Sequence, residues 1–169
     1  MIVVLINALY ITLVAFGNIT DFDTNQPFVQ HVLAMDTTNF GGTPGEGLDP
    51  DTIWRAIKSP VLANTAYVGL IAWEVLTALV LLWATAALVR ARPGAPAELS
   101  RARGLATVGL LGLVVLFFGG FITIGGEWFQ MWKSTTWNGL DPAFRNATLA
   151  LFGLALLHLP RWDDPRADG

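Results

Sequence analysis

Apolar residues run through this chain in four long blocks, separated by connections rich in polar residues, glycine and proline. The blocks lie at 2–19, 61–89, 104–126 and 143–160, and each meets or approaches the roughly 20 helical residues needed to cross a hydrocarbon core about 30 Å thick. The pattern predicts an all-α membrane protein. Four transmembrane helices form one bundle over residues 1–169, with outer connections at 20–60 and 127–142 and an inner connection at 90–103. The first block follows Met1 without a basic flank and ends in Phe16-Gly17-Asn18-Ile19-Thr20 rather than in a small-x-small cleavage pattern, so a retained helix is expected.

The long outer connection carries helical signals of its own. From Pro27 to Met35 a proline suited to a first turn is followed by apolar residues at helical spacing, which predicts a short helix on the membrane surface. From Asp51 to Ile57 a capping Asp precedes Ile53, Trp54 and Ile57 on one side, which predicts a second. The run Gly41–Gly47 between them has the composition of a hinge. In the inner connection, Pro93-Gly94-Ala95-Pro96 is a turn that makes the flanking helices antiparallel neighbours.

Composition agrees with a lipid solvent. The chain is 53% hydrophobic with a mean hydropathy of +0.52 and only 14% charged residues, where soluble domains carry about 25%. A net charge of −3 lacks the basic excess of nucleic-acid binders, so no nucleic-acid partner is expected. The absence of cysteine rules out disulfides, thiolate metal sites and a Cys nucleophile. Arg90, Arg92, Arg101, Arg103, Arg161 and Arg166 fall on one side of the predicted spans, against Arg55, Lys58, Lys133 and Arg145 on the other. Both termini are therefore expected in the cytoplasm. The opposite face is acidic, with Asp21, Asp23, Asp36, Glu46, Asp49, Asp51, Glu127 and Asp141.

The outer segments contain, in order, Asn18-x-Thr20-Asp21, the run Phe28–Thr38 with His31 and Asp36, and Trp54-Arg55-Ala56-Ile57-x-Ser59-Pro60. Later come Glu74-x-Leu76-Thr77-Ala78, Gly125-Gly126-Glu127-Trp128-Phe129-x-Met131-Trp132-x-Ser134 and Trp137-Asn138-Gly139. With these motifs the chain resembles the bacterial family of predicted small integral membrane proteins known as domain of unknown function 2165. The resemblance spans nearly the whole chain and implies a four-helix fold in the bacterial cytoplasmic (inner) membrane, without supplying a reaction. The glycine-rich stretch 41–50 reads as an insertion relative to that pattern.

Several residues are candidates for chemistry. Glu74 falls near the middle of the second span, where an ionisable side chain normally faces protein or a water-filled cavity. Tyr67, Thr77, Ala78 and Thr85 share its face, and Asn7, Tyr10, Val14, Gly17 and Asn18 form a comparable stripe on the first helix. The expected pairing is a polar clasp of Glu74 with Tyr10 or Asn7, with a proton-accepting or head-group-binding site as the functional alternative. Gly112, Gly119 and Gly126 recur at intervals of seven and predict one groove for close helix packing, or for a flat quinone ring.

At the outer boundary, Trp54, Trp128, Trp132 and Trp137 stand among Asp21, His31, Arg55, Glu127, Asn138 and Arg145. An aromatic belt is the plain reading. A pocket is the sharper one, with Glu127 pairing Arg145 or Arg55 and both outer connections folded into a partly helical, aromatic-rich cap. No metal is expected. Asp21-x-Asp23-x-Asn25 opens like a calcium loop, but Gln26 replaces the needed glycine and Val32 stands where the closing Glu belongs. His31 and His158 fall on opposite faces, roughly 30 Å apart, which excludes a haem held by both. No phosphate loop, nucleophile elbow or His-Glu-x-x-His motif occurs, so no catalytic residue and no cofactor are expected.

These features lean away from an enzyme and towards an accessory or interaction subunit that binds the bilayer and another membrane protein or a second copy of itself. The alternative is a lipid- or quinone-binding protein with a protonatable Glu74, in which a cavity runs from Trp128 and Glu127 towards Glu74. An envelope sensor, in which protonation of His31 or binding at the acidic loop alters the cap, is the third reading.

Overall fold

The computed structural model describes residues 1–92 and 94–159. Pro93 of the predicted inner turn, Pro160 at the end of the fourth block, and Arg161 and Arg166 of the basic tail lie outside them. The described residues form helices and no strand. Helix α1 spans Ile2–Thr20, α2 Phe22–Ala34, α3 Pro60–Arg90, α4 Pro96–Val114 and α5 Leu140–His158. Short 3₁₀ turns occupy Ile53–Arg55 and Met131–Lys133.

Local chemistry explains where the helices start. Pro60 occupies the first turn of α3 with Ser59 as its cap, the hydroxyl accepting from the Leu62 amide at 3.4 Å. Pro96 likewise occupies the first turn of α4, there without a side-chain cap, eight residues before the predicted start of that block. Asn138 Oδ1 accepts from the Leu140 amide at 3.1 Å where α5 begins. Helix α2, where the surface helix was expected, starts at Phe22, so Pro27 sits inside it rather than in its first turn. The second predicted surface helix is only a 3₁₀ turn. Asp51 does not cap it but offers its carbonyl to the Trp54 indole at 3.1 Å. The run Gly41–Gly47 folds as tight turns, with Gly41, Gly45 and Gly47 at positive φ, and Asn39 Nδ2 donates to the carbonyls of Thr43 and Glu46.

Three helical stretches are long and apolar enough to cross a membrane: Ile2–Thr20, Pro60–Arg90 and the continuous Pro96–Trp128. The fourth predicted block does form a helix, α5, but it is not one of these. Asp141, Arg145 and Asn146 in its first two turns dilute its hydropathy.

Beyond Val114 the α4 helix continues as a π-helix through Val115–Trp128. The wider winding is visible in the Phe129 amide donating to the Ile124 carbonyl, five residues back, at 3.0 Å. Fourteen residues is long for a form usually seen as single turns.

Helix α1 packs against α3, α3 against α4, and α4 against α5. Alanines dominate the crossings: Ala8, Ala84, Ala106 and Ala150 are fully buried around Ile11, Leu81 and Leu110. Small side chains let helix backbones approach closely where lipid, not water, is the competing solvent. Large apolar side chains such as Phe16, Leu76, Trp83, Phe118 and Phe152 point outwards.

The predicted glycine groove does not form as one column. A Cβ on Gly112 would meet Thr77 Oγ1 of α3 at 2.9 Å, one on Gly126 would meet Leu140 Cδ2 of α5 at 2.8 Å, and one on Gly119 would meet nothing within 4 Å. With π winding between them, an interval of seven no longer returns to one face. The closest approach of α3 and α4 instead uses Gly109, where a Cβ would lie 2.6 Å from Leu81 Cδ2, together with Gly112, whose carbonyl accepts from the Trp73 indole at 2.9 Å.

Candidate functional site

Glu74 is 5% exposed and faces the α1 side of α3. Asn18 Nδ2 donates to its two carboxyl oxygens at 2.9 and 3.1 Å, and Asn25 of α2 donates to Asn18 Oδ1 at 2.8 Å. The predicted partners are engaged elsewhere. Asn7 donates to the Val3 carbonyl of its own helix at 2.9 Å, and Tyr10 accepts from Asn146 of α5 at 2.7 Å.

The vertical offset of the helices explains the difference. Glu74 stands fourteen residues, or about 21 Å, along α3, yet is level with the last turn of α1, because the first turns of α3 extend past α1 and pack against α2. Tyr67, two turns nearer the start of α3, is buried against Phe22 with ring centroids 4.6 Å apart, and its hydroxyl meets no partner among the described residues. Thr77 belongs to a different contact, the one with Gly112.

A cavity of about 610 Å³ lies between α3 and the π segment, with α2 over it. Ala66 and Gly69 of α3 face Gly119 and Gly120 of the π segment, so small residues on both sides leave the space. Phe28, Val32 and Leu33 of α2 close one side, and Phe129 and Met131 the end. The two polar tips in the wall are already satisfied. Trp73 donates to the Gly112 carbonyl, and the Thr123 hydroxyl donates to the Phe118 carbonyl at 2.9 Å. Neither Trp128, Glu127 nor Glu74 lines this cavity, so the expected passage from the outer tryptophans to the buried carboxyl is not formed there.

The two long connections fold onto each other beside this cavity. Phe40 donates its amide to the Lys133 carbonyl at 3.0 Å, Thr37 and Ser134 share a hydroxyl hydrogen bond at 2.9 Å, and Thr52 donates to Gln130 Oε1 at 3.1 Å. Lys133 pairs with Asp49 at 3.3 Å. The Asp49 carboxyl is held below the usual carboxylate range, first by the Asp51 amide it accepts from and then by Lys133.

His31 presents Nδ1 to both oxygens of Asp36 at 2.9 Å and stacks on Trp137, with centroids 4.8 Å apart and planes within 11°. In the calcium-like run, Asp21 accepts from Thr24, while Asn25 is turned inward to Asn18.

The expected pairing of Glu127 with Arg145 or Arg55 is absent among the described residues. Glu127 and Arg145 are both exposed. Arg55 lies instead over the rings of Trp128, at 5.0 Å, and Trp54, at 5.7 Å, and donates to the Trp128 carbonyl at 3.3 Å. Trp54 and Trp128 meet edge to face at 5.8 Å, and Trp132 meets Phe40 in the same way. Asn138 serves the start of α5.

Asn18, Asn25, Asp49 and Trp73 are the participants that sequence reasoning did not single out for these contacts. Asn18 was on the predicted stripe. The Asp49–Lys133 pairing spans 84 residues and leaves no local signal.

An all-helical chain with three apolar helices of spanning length, outward-facing apolar side chains and a carboxyl shielded among helices is a small integral membrane protein. The sequence model of the family described as predicted small integral membrane protein (DUF2165) matches residues 1–160, and the chain belongs to that family. No curated protein and no solved structure matches it.

Proposed function

We propose that this protein holds the apolar chain of a membrane lipid or quinone-type molecule in the cavity between α3 and the π segment, within the bacterial cytoplasmic membrane. The observation that carries the reading is the cavity wall. At about 610 Å³ it has the size of a small-molecule pocket, and its polar tips are already hydrogen-bonded, so only an apolar occupant matches it.

In this reading α5 is a fourth span. Support comes from Phe144, Leu149, Phe152 and Leu156, which face outwards along it, and from its packing on α4. Both termini are then cytoplasmic, as the excess of Arg in the inner segments favours, and the two joined connections form an extracytoplasmic cap. Glu74 serves as a structural carboxyl here, since its partners lie on the α1 side.

Native mass spectrometry of the protein extracted gently from its own membrane tests this. The wild type is expected to carry one amphiphile per chain, and Gly119→Phe, which sends a ring into open space, is expected to lose it while keeping its fold. Wild-type protein without a bound amphiphile, or a Gly119→Phe variant that retains it, overturns the reading. A second reading, an accessory subunit, is favoured by the exposed Phe40, Trp54, Trp128 and Trp132. A stoichiometric second protein in the same spectrum, with the cavity empty, supports that one.

A further inference from the structure

We propose that the occupant is a phospholipid whose phosphate is seated on Arg55 at the rim of the cavity. This rests on the apolar-chain reading above and adds the headgroup to it.

The segment carrying Arg55 is fastened to the cavity wall on both sides. Arg55 donates to the carbonyl of Trp128, the residue before wall residue Phe129. Two residues further on, the Ile57 amide donates to the carbonyl of wall residue Leu33 at 2.8 Å. The guanidinium is thereby held beside the wall, bonded to the residue that precedes Phe129, while Arg55 itself does not line the cavity.

Its own valences are incompletely filled. Nε is shielded from water without an acceptor, and no carboxylate among the described residues forms an ion pair with Arg55. A shielded guanidinium N–H is costly to leave unmatched, and a planar fork of donors fits phosphate oxygens in pairs. Trp54 and Trp128, which both lie beside the guanidinium, are 69% and 47% exposed, and tryptophan concentrates at the depth of lipid headgroups. A phosphate at that depth continues directly into an acyl chain, which the neighbouring apolar cavity accepts. A free anion would use the guanidinium and leave the cavity without a role.

The test uses the full chain, delipidated in detergent and titrated separately with phosphatidylglycerol, with diacylglycerol of the same acyl chains, and with inorganic phosphate, binding being read by native mass spectrometry. The wild type is expected to prefer phosphatidylglycerol over diacylglycerol by about tenfold or more, the scale of one charge-assisted contact. In Arg55→Gln that preference is expected to collapse towards one, and in Arg55→Lys to fall between. Because the preference is a ratio within one variant, a general loss of stability does not produce it.

Equal binding of the two lipids by the wild type, or an unchanged preference in Arg55→Gln, overturns the headgroup assignment while leaving the apolar-chain reading intact. Binding of neither lipid by the wild type overturns both. Inorganic phosphate bound as tightly by Gly119→Phe as by the wild type, without lipid binding, assigns Arg55 to a free anion and also overturns the proposal.

Discussion

Asn18 and Glu74, 56 residues apart, are locked in one orientation: Asn25 donates to the Asn18 carboxamide oxygen, so its NH₂ must point at the Glu74 carboxyl. The contact ties the last turn of α1 to the interior of α3 and both to α2. Removing the donor leaves a shielded carboxyl unmatched. Asn18→Leu is expected to cost roughly 1–3 kcal/mol, whereas Glu74→Gln, which keeps the shape and an acceptor, is expected to cost less than about 1 kcal/mol. A double-mutant cycle with Asn18→Leu and Glu74→Leu, followed by thermal unfolding in detergent, should return a coupling of about 0.6 to 1.7 kcal/mol, from the average to the largest value seen for hydrogen bonds between membrane helices.

The glycines of α4 and the π segment divide by what faces them. Alanine at Gly109 is pressed against the fully buried Leu81, and at Gly112 against Thr77, so each substitution is expected to cost about 1–3 kcal/mol. Gly119→Ala, which meets open space, is expected to leave packing unchanged. Thermal midpoints of the three variants, measured side by side, check the order.

The Asp49 carboxyl, held low in the folded protein, stabilises the joined connections above its ordinary value of about 3.9. That contribution is lost only as pH falls through the lowered value. Lys133 lies 5.4 Å over Trp132 as well as pairing with Asp49, so the emission contributed by Trp132, taken as the difference from Trp132→Phe, should be constant from pH 8 to about pH 5 and change in more acid solution. Asp49→Asn should abolish that acid transition.

Stacking on His31 and the hydrogen bond from its own amide to the Ser134 hydroxyl at 2.9 Å hold Trp137. His31→Leu removes the polar partner of Asp36 and the planar stack, with an expected cost of about 1 kcal/mol. Hydrogen exchange at the amides of 134–139 should accelerate by roughly fivefold, while α1 and α3 stay protected.

Helical periodicity made much of this architecture legible. It located α1 and α3 to within one residue at each end and put Asn18 on the correct stripe, because buried and lipid-facing positions alternate with the helix turn. It missed the partner of Glu74, because it takes spans to be centred on one another, whereas α3 overshoots α1 towards α2. The glycine interval failed for a related reason, since it presumes one winding throughout and hydrogen-bond spacing changes at Val115. The contacts of Arg55 and Asp49 depend on how two loops meet, and no local pattern encodes that. Residue types alone favoured the pairing of Glu127 with Arg145 or Arg55, but the Trp54 and Trp128 rings hold the Arg55 guanidinium instead.

The π winding makes the tail end of the third long helix depend on the number of residues as much as on their kinds. Each residue of an α-helix turns the chain by about 100°. Deleting one residue between Val115 and Trp128, so that the stretch relaxes to ordinary winding, would therefore do more than shorten it. The change of winding would re-aim every side chain beyond the deletion relative to those before it, carrying Gly126 off Leu140 and Phe129 off the end of the cavity. The segment works as a phase shifter: it lets a single continuous helix present one set of small residues to α3 and, further along, a differently aimed set to α5.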